Sequence, residues 1–123
     1  MTINTRWLDD HYRILHISFE DGWTVEDLLA NSADLTAYLD TLVASAGLLL
    51  DHAAGDYAPL NLMTALTPLG RAGWLANPHI RAVAAVAPTG KLKIFYDSMT
   101  TMIPRLIIAR DFDSAYIQVR ELL

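Results

Sequence analysis

Gly47-Leu48-Leu49-Leu50-Asp51 sets three leucines in a row between a glycine and an acid. No polar residue alternates with them, so the run suits a strand covered on both faces, as in a parallel sheet. Two comparable runs follow. Ile80 to Ala87 is closed by Pro88-Thr89-Gly90, and Leu106-Ile107-Ile108-Ala109 comes after Pro104. Upstream the pattern changes. Ile3 to Leu8 reads as a short strand, and Asp9, Asp10 and His11 supply turn chemistry. Tyr12 to Phe19 alternates, with Leu15, Ile17 and Phe19 on one face and Ile14, His16 and Ser18 on the other. These two segments predict an antiparallel hairpin.

Helical patterns fill the gaps between the runs. Thr24 is a good N-cap, with Asp27 at the capping-box position and Trp23 placed to pack on Leu28. Leu28, Leu35, Leu39 and Leu42 then recur at helical spacing through Ala44. Asn61 to Leu66 reads as a separate turn of helix. Thr67 as cap and Pro68 at the first helical position predict a short second helix through Ala76, ended by Asn77-Pro78. Leu92, Phe95, Tyr96, Met99, Met102 and Ile103 follow the 3.6 period of a third helix, stopped by Pro104. A fourth is predicted after Asp113 as cap, with Phe112 and Ile117 as a staple and Ala115, Val119, Leu122 and Leu123 buried. The order is β-β-α-β-α-β-α-β-α. It predicts an α/β fold with a mixed, mostly parallel sheet of about five strands, and four helices covering its faces. Binding in such sheets falls at the carboxyl ends of the strands.

Composition narrows function. A chain of 123 residues fits one domain spanning residues 1–123, with no repeat, low-complexity segment or linker. Cysteine is absent, which excludes disulfides, thiolate nucleophiles and Cys-type metal sites and is compatible with a cytoplasmic home. The net charge of −5 argues against nucleic acid or an anionic membrane as main partner. The first residues are polar, unlike a signal peptide, and no window approaches the roughly 20 apolar residues of a membrane span. The apolar fraction of 53% points to buried elements or an apolar interface.

Four local stretches stand out along this order: Gly22-Trp23-Thr24 before the first helix, Leu48-Leu49-Leu50-Asp51, Asn77-Pro78-His79-Ile80, and Asp111-Phe112-Asp113-Ser114-Ala115. Together with the element order they resemble the STAS-like fold of anti-sigma-factor antagonists and their STAS/SEC14-like relatives. The resemblance covers nearly the whole chain. It implies a non-enzymatic protein-interaction or signalling module, with a small apolar-ligand or lipid binder as the alternative from the SEC14-like side. The chain departs from it in one respect. Classical members carry a phosphorylatable serine after the third strand, in a pattern of Asp, two serines and Gly. Here that stretch is Asp51-His52-Ala53-Ala54-Gly55, and both hydroxyls are missing. The first hydroxyl group on a serine or threonine downstream is that of Thr64.

Candidate binding residues cluster in two places. Asp51 and His52 lie at a strand end, with Asp56 and Tyr57 following in a loop. A His-Asp pair has acid–base chemistry, but no nucleophile or second base stands near it in sequence, and a solvated strand end is the plainer alternative. Thr89-Gly90-Lys91 opens the third helix, where lysines beside free amides suit an anion; the full glycine-rich phosphate loop is missing. No catalytic residue is assigned. His11, His16, His52 and His79 have no metal-pair spacing, so neither a metal nor another cofactor is expected. Trp74, Met99 and Met102 are candidate interface residues for a homodimer, with a helix core as the alternative.

Overall fold

The computed structural model describes residues 2–9, 13–41, 45–52, 57–72, 77–101 and 106–123. Five strands are present: β1 (Ile3–Asp9), β2 (Ile14–Phe19), β3 (Ala46–Asp51), β4 (Ile80–Val86) and β5 (Leu106–Ala109). Four α-helices join or follow them: α1 (Val25–Leu39), α2 (Leu66–Ala72), α3 (Gly90–Thr100) and α4 (Phe112–Leu122), with a 3₁₀ turn at Leu62–Ala65 running into α2. The sheet order is β1-β2-β3-β4-β5, antiparallel between β1 and β2 and parallel thereafter. The chain is therefore α/β with a mixed, mostly parallel sheet, as the element order predicts. No described helix is long and apolar enough to cross a membrane.

Because each crossover moves one strand along in the same direction, α1, α2 and α3 all lie on one face. Their apolar residues, among them Leu28, Leu35, Leu69, Phe95 and Met99, pack with Leu15, Ile17, Leu48, Leu50 and Val83. Among the described residues the other face has α4 alone, which sets Ala115 and Val119 on Leu49, Ala82, Ala84 and Val86. Leu48, Leu49 and Leu50 are wholly buried because both faces are covered, and each such burial is worth roughly 1.5–3 kcal/mol. Gly47 is required by this close approach: a Cβ there would run into Val119 Cγ1.

Local chemistry explains the helix starts. Thr24 accepts from the Asp27 amide at 3.0 Å and the Asp27 carboxylate accepts from the Thr24 amide at 3.0 Å, a complete capping box. The Thr24 amide, followed by the Thr2 hydroxyl, holds the Asp27 carboxyl below its ordinary range. Gly22, at φ 92, makes the turn into this helix without the steric cost a side chain would add.

Several boundaries differ from expectation. Helix α1 ends at Leu39, where the Asp40 amide reaches Thr36 and Tyr38 carbonyls; Leu42 and Ala44 lie outside the described residues. Helix α2 starts at Leu66, fed by the 3₁₀ turn, so Thr67 is inside it and Pro68 sits in its first turn. The cap of α4 is Asp111, not Asp113: its carboxylate accepts from the Ser114 amide at 2.8 Å. A cap two residues earlier moves Phe112 and Ile117 out of staple register, and Ile117 is half exposed. Leu122 and Leu123 are exposed as well; the residues that α4 buries are Ala115 and Val119.

Candidate functional site

Alternation along adjacent strands divides the carboxyl ends into two sites on opposite faces. In β3, Leu48 and Leu50 point to the three-helix face and Leu49 to the α4 face. Asp51 continues the second series and His52 the first. The two neighbours therefore diverge and belong to different clusters.

On the three-helix face His52 is enclosed by aromatic rings. Phe19 stacks on it with centroids 4.2 Å apart and planes at 23°. Trp23 lies 6.1 Å away, with Phe19 edge-on to it, and the exposed Tyr57 stands edge-on to Trp23 at 6.4 Å. Tyr96, from α3, meets the imidazole with its hydroxyl at 2.5 Å from Nε2. His52 is only 3% exposed. Burial pulls its pKa down to about 4, partly opposed by the Asp51 charge. Burial likewise pushes the Tyr96 phenol up. Two neutral groups thus share one short hydrogen bond in an apolar box, the form in which buried polar groups are least costly.

On the α4 face His16 bonds Asp51. The Nε2 atom lies 2.7 Å from Asp51 Oδ2, and Arg6 Nε donates to Nδ1 at 3.2 Å. A guanidinium only donates, so Nδ1 holds the lone pair and Nε2 carries the hydrogen given to Asp51. Phe112, at the start of α4, stands edge-on at 5.2 Å and 72°. This has the orientation of an acid–base dyad, but both ring nitrogens are engaged. Among the described residues, no group of three or more His, Asp or Glu side chains is placed to hold a metal.

A third feature lies along the same rim. Leu60 is 93% exposed, Ile94 61% and Met63 48%, and with Pro59, Leu62 and Lys91 they line a groove of about 240 Å³. Thr89 stands at the cap position of α3 without a side-chain cap bond, and Gly90 takes φ 55. Close by, Ala87 is held at φ 52, a left-handed conformation costly for a residue with a Cβ.

The candidate residues are thus redistributed. His52 and Tyr57 meet around Trp23, Lys91 joins the apolar groove, and Asp51 turns to the opposite face. Met99 is wholly buried in the three-helix core, so it offers no surface to an interface. Asp56, Trp74 and Met102 lie outside the described residues. His16, Phe19, Trp23, Tyr96, Leu60 and Ile94 were not among the candidates. Strand parity was the available signal for His16 and Phe19, which fall on the faces of Asp51 and His52 respectively. No family model matches the chain, and no curated protein matches it.

Proposed function

We propose that this chain is a non-enzymatic protein-interaction module of the STAS-like kind, acting without a phosphorylatable serine after its third strand. The observation that carries the proposal is the exposed apolar groove of Leu60, Met63 and Ile94 beside Lys91. Large aliphatic side chains held open on ordered elements are costly in water and mark contact surfaces. The lysine adds a charged rim that suits an acidic group on the partner. The β-β-α-β-α-β-α-β-α order supports the STAS-like assignment, and residues 52–54 have no hydroxyl to modify. His52 sealed in its aromatic box and His16 engaged at both nitrogens support a non-enzymatic role.

A photo-reactive amino acid in place of Ile94 should give a discrete cross-linked protein in cell extract, and Leu60→Asp should cut its yield about tenfold. The control position is Gln118, exposed on α4. Equal cross-linking from position 118, or a yield untouched by Leu60→Asp, overturns the proposal. The same groove supports a second reading, a small apolar ligand whose acidic head meets Lys91. Native mass spectrometry separates the two: a retained small molecule, lost in Leu60→Asp, assigns the groove to a ligand.

A further inference from the structure

We propose a second binding site, separate from the Leu60–Ile94 groove: the edge of β1, which takes an extended basic peptide as a sixth strand. The Glu20 amide donates to the Thr2 carbonyl at 2.7 Å, so Thr2 is a hydrogen-bonded partner of Glu20. The register continues through Asn4↔Ser18 and Arg6↔His16. Antiparallel pairing alternates, so the intervening Ile3, Thr5 and Trp7 turn their N–H and C=O groups away from β2. Among the described residues no strand pairs with that side. The register shift between Trp7 and Asp9 ends the usable edge. Five residues, Ile3 to Trp7, are left as a template for strand addition.

A groove runs beside this edge, between β1 and α1. Its two stretches, about 330 and 360 Å³, share Ile3, Asn31 and Asp34 as lining residues. Asn31 Nδ2 donates to Thr5 Oγ1 at 2.8 Å, and Trp7 Nε1 donates to Tyr38 at 3.3 Å, so α1 is tied to β1 along its length. Alternate side chains of an added strand would point into this groove, as they do where peptides extend a sheet beside a helix.

The charge of the wall selects the occupant. Helix α1 carries Glu26, Asp27 and Asp34 and no basic residue. Among the described residues no lysine or arginine lines either stretch of groove. Asp27 is committed to Thr2 and the Thr24 amide, which leaves the exposed Asp34, on the lining of both stretches, as the selecting charge. A second copy of this chain fits poorly, because pairing β1 with its own copy would bring two acidic helices together. A segment with lysine or arginine at alternate positions fits.

The test uses the full chain and an acetylated peptide of about eight residues alternating lysine and threonine, the length of an ordinary strand. Amide hydrogen exchange at Ile3, Thr5 and Trp7 should slow on binding, and N-methylation of alternate peptide residues should abolish both effects. Asp34→Lys should weaken binding about tenfold. Thr5→Pro should weaken it at least as much, since it removes the central outward N–H of the edge together with the hydroxyl that accepts from Asn31. Equal binding of a peptide with glutamate for lysine, indifference to N-methylation, no binding, or protection confined to the Leu60–Ile94 region would each overturn the proposal. So would slowed exchange at these three amides without peptide, caused by self-pairing.

Discussion

His16 and His52 differ in what surrounds them, although both belong to the same sheet, His16 within β2 and His52 just past the end of β3. His52 is packed among three aromatic side chains and answers a single phenol. His16, 8% exposed, lies under one ring and beside a guanidinium and the partly exposed carboxylate of Asp51. The difference follows from helix placement. Three helices cover one face, so a polar group there must be neutral and internally satisfied. One helix covers the other face over β3 to β5, so charged partners reach His16 from β1 and the strand end. Burial thus turns His52 into part of the core, whereas His16 remains a polar contact.

The largest perturbation should come from emptying the box. Trp23→Ala should cost about 3–5 kcal/mol in urea denaturation, the range for removing a buried indole. A loss under about 1 kcal/mol would mean that the ring does not enclose His52. The next effect is a pH dependence. His52 titrates near 4 when folded, against an ordinary value of 6.5. Above about 6.5 both folded and unfolded chains hold it neutral and it contributes nothing. As the pH falls from there towards 4 the unfolded chain takes up the proton first, so stability drops by about 3 kcal/mol and then levels off. Denaturation midpoints for the wild type and His52→Gln across that window check this, and parallel curves would remove the assignment. The smallest effect lies on the other face. Asp51→Ala should cost only about 1 kcal/mol, because water can replace the carboxylate at a site that is not sealed. A loss as large as that of Trp23→Ala would erase the distinction between the two sites.

Much of the architecture was legible because it rests on local signals. The unbroken Leu48-Leu49-Leu50 run marked a two-sided strand, and Thr24 with Asp27 marked a helix start through bonds three residues apart. Where two local solutions compete, sequence misleads. Asp111 and Asp113 are chemically equivalent caps, and only the geometry after β5 selects the first. Thr67-Pro68 has the look of a start, yet the preceding 3₁₀ turn already supplies one. The sites were less legible than the fold. Asp51 and His52 were grouped because they are adjacent, but adjacency in a strand separates side chains by the thickness of the sheet. Their true partners are 35 and 44 residues away, and only strand pairing and helix docking join them. Ile94 falls off the Leu92-Phe95-Tyr96-Met99 stripe, which was a signal for its exposure, whereas Leu60, in a turn without periodicity, carried none.

The strand order has a consequence for how the molecule is made. Each strand lies beside the one synthesised just before it, so the sheet can grow from one side as the chain leaves the ribosome. The three crossover helices arrive with the strands they connect and shield their face progressively. The opposite face, with Leu49, Ala82, Ala84 and Val86, has no such escort until α4 emerges after β5. An apolar surface therefore stands open from the completion of β4 until α4 emerges, and α4 is the element that makes the nascent sheet safe from its neighbours.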